Sequence, residues 1–291
     1  MLLPVYALYP SVYSLLVIQA IAVASASIIL FGLARGVLND KRKAFIVSLA
    51  YLLNPLSHGL IRYEFHPAVL GVPFMFLFAY FMEKGELKKA AIASILVLSV
   101  KEDAGLFLIA YALFIVLQKR GSKIRDWWRE KAALGFAALG AVWIVVSVLV
   151  IIPSFNVHHS YPYFQLYQTS NKYLTIALTK LFVAFLSVAF IPIRPKYSLP
   201  VVILWLENAL ALRLSQAVIG FQYDYMMLPM LFIVLVYALK ETRQKTSLLI
   251  ALATLTTLMF SPMLSVARIT IRGVPIAVSD RFWIMLEFLR R

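Results

Sequence analysis

The stretch Leu87–Gln118, LKKAAIASILVLSVKEDAGLFLIAYALFIVLQ, decides how this chain folds. Its two apolar runs, 87–100 and 104–118, enclose three adjacent ionisable residues, Lys101-Glu102-Asp103. A single span through both runs would bury these charges at the bilayer centre, at a cost of roughly 2.5–3.5 kcal/mol each. It would also move the basic residues that follow to the opposite side of the membrane. We therefore predict a helical hairpin with the three residues at its tip.

The length of the hairpin legs predicts how deep that tip lies. Each leg has about 14 residues and reaches only about 21 Å, whereas the hydrocarbon core is about 30 Å thick. The tip is therefore expected below the membrane surface, in a polar cavity or in a thinned region of the bilayer.

The composition indicates that the rest of the chain is also embedded in a membrane. Of 291 residues, 62% are hydrophobic and 14% are charged, whereas soluble domains have roughly 45–50% apolar and about 25% charged residues. We predict an all-α, polytopic transmembrane helical bundle that forms a single domain over residues 1–291. Its ten membrane-embedded segments are expected at about 11–33, 44–61, 67–82, 87–100, 104–118, 132–153, 173–192, 197–211, 226–239 and 246–262.

The net charge of +15 comes from basic residues whose placement along the chain predicts the membrane topology. Most of the 28 Lys and Arg residues fall on one set of alternating loops, which the positive-inside rule assigns to the cytoplasm. The chain is then a multi-pass protein of the cell membrane with both termini extracytoplasmic, an outer loop at 154–172 and an outer tail at 265–291. Because the basic residues lie between apolar runs, they favour contact with membrane lipid over nucleic acid. The absence of cysteine excludes disulfides and thiolate metal sites.

In this topology the candidate functional residues collect on the outer side. Glu102 and Asp103 are neighbouring carboxylates beside a cation, so they could divide acid and base roles or hold a divalent cation. Glu64 and His66 are two residues apart, which places them on one face of an extended strand and suits proton transfer or metal ligation. Simpler alternatives are a hairpin tip whose charges reach solvent, and a turn in which Arg62 pairs with Glu64.

Further ionisable residues lie in the outer tail, within the predicted spans and in the predicted cytoplasmic loops. Arg272 and Arg281 in the outer tail could bind a lipid phosphate through charge-assisted hydrogen bonds. Glu207 and Lys180 are predicted near the middle of spans, where an ion relay would need stations. Acids of the predicted cytoplasmic loops, such as Glu83, alternate with Lys and Arg and are expected to be ordinary solvated charges.

Short motifs then follow one another in a fixed order along the chain. They are Leu3-Pro4-Val5-Tyr6, Leu15-Leu16-Val17-Ile18-Gln19-Ala20, Ala50-Tyr51-Leu52-Leu53-Asn54-Pro55, Glu64-Phe65-His66-Pro67 and Lys101-Glu102-Asp103-Ala104. With these motifs the chain resembles the DUF2079-type family of prokaryotic predicted integral membrane proteins of unknown function, which is distantly similar to the type C (GT-C) glycosyltransferases. The resemblance covers roughly residues 1–120 and is weaker at 221–225 and in the tail.

This resemblance implies a GT-C-like fold and the transfer of a sugar from a polyprenyl-phosphate donor on the extracytoplasmic face. Three sets of residues are then candidates for the site. The catalytic candidates are Glu102, Asp103, Glu64 and His66. The candidates for binding the donor phosphate are Lys101, Arg62, Arg272 and Arg281. The candidates for metal ligation are Glu102, Asp103 and His66.

The resemblance also implies a catalytic acid in an outer segment ahead of the Leu3-Pro4-Val5-Tyr6 motif, where this chain begins. We expect that a partner protein or a longer form of the chain supplies this segment, or that the catalytic role is lost or differently assigned. Two other functions stay open at this point, namely a transporter or flippase and a non-catalytic membrane subunit.

Overall fold

Helices account for most of the computed structural model, which describes residues 7, 10–62, 64–118, 124–157, 173–242, 246–263, 268–271 and 274–277, with only the backbone at 124–126 and in the last two ranges. The helices are α1 Val12–Leu38, α2 Lys41–Leu52, α3 Pro55–Arg62, α4 Gly71–Lys84, α5 Leu87–Leu98, α6 Gly105–Leu117, α7 Ile124–Val146, α8 Ile152–Phe155, α9 Leu174–Ser187, α10 Pro195–Ala209, α11 Leu214–Ala217, α12 Met227–Glu241 and α13 Thr246–Phe260. Two 3₁₀ turns, Pro67–Leu70 and Gln222–Tyr225, lead into α4 and α12, and a π-helical turn, Ser147–Ile151, joins α7 to α8.

Within the described part of the chain, four helical stretches are long and apolar enough to cross a membrane, namely Val12–Leu38, Pro67–Lys84, Trp127–Phe155 and Gln222–Glu241. The bent pair α2 and α3, with 46° between its halves, would make a fifth. Every predicted segment contains a described helix, but ten membrane crossings are not confirmed. The helices α5, α6, α9, α10 and α13 have 12 to 15 residues, so each reaches only about 18–23 Å. The sidedness of the membrane and the single-domain organisation stay predictions.

The first leg of the predicted hairpin runs back along α4. A turn at Gly85, whose φ of 75° favours glycine, ends α4 and starts α5 in the opposite direction. At the far end of α5, Val100 packs against Gly71, where an added Cβ would lie 2.9 Å from its Cγ2 atom. The residues 99–104 then form a turn rather than continuing the helix.

The second leg, α6, runs away from that turn along α7. Gly105 lies directly against Gly140, so close that a Cβ on Gly105 would be 2.3 Å from the Gly140 carbonyl oxygen. Further along α6, Tyr111 reaches Arg129, which lies about three turns earlier in α7. The two legs therefore share one end at Lys101-Glu102-Asp103, and the hairpin predicted for 87–118 is confirmed.

The core and the lipid-facing surface of the bundle are carried by different helices. Residues Met227–Leu239 of α12 are all buried, so this helix is the centre around which the others pack. By contrast, little of the helical stretch Trp127–Phe155 is buried, and apolar residues such as Val142 and Leu149 are more than half exposed. An apolar surface of this extent is unfavourable in water and is typical of a helix that contacts lipid.

The predicted outer tail departs from the all-α expectation. Arg268–Ile271 and Val274–Ala277 form a two-stranded antiparallel hairpin in which Ile269 is paired with Ile276. Its β-branched residues favour strands over helices, which accounts for the difference. The remaining residues of the tail, and 158–172 of the outer loop, lie outside the described part of the chain.

Candidate functional site

The turn between α5 and α6 holds the centre of the candidate site. Lys101 Nζ forms an ion pair with Asp103 Oδ2, and Trp143 Nε1 of α7 donates a hydrogen bond to the Lys101 carbonyl oxygen at 3.3 Å. The side chains of Lys101 and Asp103 are 31% and 15% exposed, so both are largely enclosed. The ion pair between Lys101 and Asp103 is a local contact, because the two residues are two positions apart on the same turn.

Two distant residues complete this arrangement. The Tyr225 hydroxyl, at the end of the 3₁₀ turn before α12, donates a hydrogen bond to Asp103 Oδ1. The carboxyl group of Glu207, near the end of α10, lies within hydrogen-bonding range of the Asp103 carboxyl group. We call Lys101, Asp103, Glu207 and Tyr225 the acidic cluster.

The two carboxyl groups of the acidic cluster face each other. Glu207 Oε2 is shut off from solvent and has no donor among the described residues, as happens when a carboxylate faces another carboxylate. Two carboxylates in contact repel each other, so keeping both of them ionised is costly. Burial lowers the pKa of Lys101, but the negative charges of Asp103 and Glu207 outweigh this effect and raise it overall, so Lys101 is a fixed cation.

The 3₁₀ turn Gln222–Tyr225 is fixed from three sides, which holds Tyr225 in the cluster. Lys180 Nζ of α9 donates hydrogen bonds to Asp224 Oδ1 at 2.8 Å and to the Gln216 carbonyl oxygen at 2.6 Å. Asn208 Nδ2 of α10 donates to the Tyr223 carbonyl oxygen at 3.0 Å. Neither the Lys180 nor the Asp224 side chain is exposed by more than 1%.

A close backbone approach provides the third side. Gly220 has a φ of +119°, which side-chain-bearing residues rarely adopt. A Cβ on Gly59 of α3 would lie 2.9 Å from the Gly220 amide nitrogen. Both glycines are therefore required for α3 to lie directly on the segment that leads into the turn.

Glu64 and His66 lie near the acidic cluster, but the structure does not pair them closely. Glu64 is exposed and His66 half-buried, and the backbone at His66 is held by a 2.7 Å hydrogen bond from its amide to Gln19 Oε1. Burial lowers the pKa of His66; the charge of Glu64 opposes this shift and that of Lys101 adds to it. His66 is therefore a neutral imidazole at the edge of the cluster.

The other predicted site residues have different positions. Glu102 lies on the same turn as Lys101, and its negative charge acts on both Lys101 and Glu207. Arg62 lies beside the loop at Gly220, where an added Cβ would be 3.8 Å from its Nη1 atom. Arg272 and Arg281 lie outside the described residues.

The structure gives no support to the expected divalent cation. Within the described ranges, no three His, Cys, Asp or Glu side chains are grouped so as to hold a metal ion. Glu102, Asp103 and His66 therefore do not form a three-ligand site. The side chain next to Asp103 is a second carboxyl group, and the nearby cation is already provided by Lys101.

Several members of the site were not predicted from the sequence. Tyr225, Trp143 and Asn208 had no expected role, and Glu207 was expected only as a mid-depth charge. The signal available for Glu207 was an acid within an otherwise apolar run, since embedded ionisable residues are usually functional. Tyr225 lies in the 221–225 stretch, where the family resemblance was weak.

Comparison with known proteins places the chain in a family. The model of the predicted membrane protein family DUF2079 matches residues 1–277. The chain belongs to this family. The DUF2079 match includes every member of the acidic cluster but ends before Arg281. No curated protein and no solved structure matches the chain, and similarity to the type C glycosyltransferases is not shown.

Proposed function

We propose that this chain is a membrane-embedded transferase that moves a sugar from a polyprenyl-phosphate donor to an acceptor hydroxyl group. The observation that carries the proposal is the contact between the Asp103 and Glu207 carboxyl groups, held beside Lys101 and Tyr225. A carboxyl pair with one proton offers a base and an acid in the same place, which is what activation of a hydroxyl nucleophile requires.

The acidic cluster would act on the acceptor. The ionised carboxylate of the pair takes the proton of the acceptor hydroxyl as its oxygen forms a bond to the anomeric carbon of the sugar. The bond from that carbon to the phosphate oxygen breaks, and the polyprenyl phosphate leaves with the electron pair. Lys101 and Arg62 are cations on this side of the bundle that would compensate the charge of the phosphate.

Unpaired acceptors near the cluster support a substrate that is rich in hydroxyl groups. Glu207 Oε2, Gln216 Oε1 and Gln222 Oε1 are all buried and have no donor among the described residues. A buried acceptor without a donor costs about 1–3 kcal/mol. Sugar hydroxyl groups are donors and would satisfy such oxygens once these side chains turn toward a bound substrate, because all three atoms are closed to solvent in this structure.

The distribution of polar residues on α12 argues against an ion relay through the bundle centre. Tyr225 precedes α12 and Tyr237 is near its end, roughly 18 Å away. The residues from Met227 to Val236 between them are all apolar and buried. A transporter or flippase would need titratable stations in this region, so we favour the transferase.

The test measures sugar transfer in membranes of a deletion strain that expresses each variant and retains its own acceptors. The membranes receive polyprenyl-phosphate glucose or mannose labelled in the sugar. We expect label to leave the lipid phosphate with the natural chain, and Asp103→Asn to slow transfer at least about 100-fold, the usual contribution of a general base. Tyr225→Phe should slow it less, because it removes one hydrogen bond to Asp103.

A matched control and a check on folding make this test decisive. Glu86→Gln removes a partly exposed acid at the other end of α5, which pairs with Lys89, and it should leave transfer unchanged. Each variant is compared at equal amounts of monodisperse protein. Transfer that persists in well-folded Asp103→Asn would overturn the proposed role. No transfer by the natural chain with either donor would count for a non-catalytic subunit.

A further inference from the structure

A buried glutamine on α1 holds the segment that borders the acidic cluster. Gln19 lies in the sequence motif at 15–20 and is only 1% exposed. Its helix is long and apolar enough to cross a membrane. An amide side chain in such surroundings is costly unless its donor and acceptor atoms are hydrogen-bonded. The partners of Gln19 therefore show which part of the fold it serves.

Hydrogen bonds from the Gln19 side chain go to one stretch of backbone. Its Nε2 atom donates to the Leu60 carbonyl oxygen at 2.8 Å and, at the longer distance of 3.5 Å, to the Glu64 carbonyl oxygen. Its Oε1 atom accepts a hydrogen bond from the His66 amide at 2.7 Å. These partners lie 41 to 47 residues further along the chain, from the last turn of α3 to the residue before the second 3₁₀ element of the bundle, Pro67–Leu70. We call residues 60–66 the clamped segment.

The clamped segment brings ionisable side chains to the acidic cluster. His66 lies close enough to Lys101 for the charge of the lysine to act on the imidazole. Arg62 lies beside Gly220, on the stretch that leads to Tyr225. Because the backbone is tied to α1 near both ends, these side chains are held next to the cluster. A loose segment would have to be ordered each time an anion binds there, and such ordering reduces affinity.

We propose that Gln19 is a positioning residue for the phosphate group of the lipid-linked substrate. It acts through Arg62, which the clamped segment presents on the same side of the bundle as Lys101. Asp103 is held separately, by Lys101 and Tyr225. Loss of Gln19 should therefore weaken donor binding and raise the KM for the donor, whereas kcat, which depends on Asp103, should change little. This role rests on the function proposed above, because the phosphate belongs to the donor of that reaction.

The test measures two quantities for each variant. One is the binding of polyprenyl phosphate to the purified full chain by native mass spectrometry, and the other is the KM and kcat for labelled donor in membranes of the deletion strain. Gln19→Leu removes both the donor and the acceptor of the amide. We expect it to bind polyprenyl phosphate about tenfold more weakly and to raise KM by the same factor, which corresponds to the ordering of one long side chain on binding. The value of kcat should stay within about twofold.

A second variant separates the hydrogen bonds of Gln19 from its packing. Gln19→Glu keeps the shape of the side chain and an acceptor for the His66 amide, but its carboxyl group can donate to the Leu60 carbonyl oxygen only while it is protonated. Relative to the natural chain at each pH, its affinity for polyprenyl phosphate should be nearly natural at about pH 5 and several-fold lower at about pH 8. A ratio of affinities that does not change with pH would contradict the role of the hydrogen bonds.

A matched control and a check on folding complete the test. Gln118→Leu makes the same change at a half-buried glutamine at the other end of α6, about 20 Å from the cluster, and should leave binding and KM unchanged. Deuterium exchange of the amides at 60–66 should become faster in Gln19→Leu, while exchange in α12 stays the same.

The outcomes distinguish the positioning role from the proposed reaction. Unchanged affinity and KM in well-folded Gln19→Leu would overturn the positioning role and leave the transferase standing. If the natural chain binds polyprenyl phosphate in a way that depends on Gln19 but transfers no sugar, the transferase is wrong and Gln19 still positions a phosphate group. No binding of polyprenyl phosphate by the natural chain would overturn the positioning role directly.

Discussion

Asp224 and Tyr225 are neighbours on one 3₁₀ turn, yet they take part in two opposite electrostatic arrangements. Asp224 faces Lys180, a single cation that matches its charge, and both side chains are fully buried. Tyr225 faces Asp103, which shares its surroundings with a second acid, Glu207, so that the carboxyl groups there outnumber the cation. The first pair is balanced within itself, and the second is not.

Because of this difference, we expect the balanced pair to serve the stability of the fold and the unbalanced pair to serve a chemical reaction. A matched ion pair that is closed to solvent fixes the geometry of the elements that carry it, in this case α9 and the turn before α12. Two carboxyl groups in contact contribute little to stability and are retained where their shared proton has a use. The comparison therefore predicts that the two acid groups respond differently to substitution, one in stability and the other in activity.

The largest effect is expected where the matched pair is broken. Lys180→Met leaves the charge of Asp224 buried without its partner, and the loss of one member of a buried pair typically costs about 3–5 kcal/mol. The free energy of unfolding in mixed detergent micelles measures this cost. A loss below about 1 kcal/mol would mean that the pair does not fix the turn.

A double variant serves as the control for that prediction. In Lys180→Met with Asp224→Leu, both charges are removed together, and replacement of a whole buried pair by apolar residues is often close to neutral. We expect the double variant to recover most of the lost free energy of unfolding. If it is as unstable as Lys180→Met, the effect comes from packing and not from the unpaired carboxylate.

An intermediate effect on activity, with little effect on stability, is expected at the unmatched pair. Glu207→Gln replaces the carboxyl group by an amide of the same shape that can donate a hydrogen bond to Asp103. The free energy of unfolding should therefore stay within about 1 kcal/mol of the natural chain or rise slightly. Sugar transfer should fall sharply, because an amide cannot take up or release a proton as a carboxyl group does. A destabilisation as large as that of Lys180→Met would erase the distinction between the two pairs.

The helices and the hairpin could be predicted from the sequence because their causes are local. Apolar runs must form helices in a membrane, and the high cost of Lys101-Glu102-Asp103 at the bilayer centre forces a turn. The break between α2 and α3 was also marked locally by Asn54-Pro55, since a proline rarely continues a helix, but the segment 44–61 was predicted as one.

The partners in the site could not be predicted in this way. Glu207 and Tyr225 lie more than 100 residues from Asp103, and their contact depends on how α10 and the 3₁₀ turn pack against α6. The pattern of apolar residues along one helix does not determine which other helix packs beside it. Glu83 shows the same limit, because it was expected to be a solvated loop charge and instead pairs with Arg129 in a half-buried position.

The smallest effect is expected at His66, which borders the unmatched pair without joining it. Burial lowers the pKa of His66, so the unfolded chain takes up a proton on this imidazole at a higher pH than the folded chain does. The contribution of His66 to stability is complete above the unfolded pKa of about 6.5 and is lost as the pH falls through the lower folded pKa. The natural chain should therefore lose slightly more stability than His66→Gln between about pH 7.5 and pH 5. Unfolding temperatures of both proteins across this range measure the difference, in which all other titrating groups cancel. If the unfolding temperatures of the two proteins change equally with pH, His66 is in contact with water in both the folded and the unfolded state and lies outside the influence of the acidic cluster.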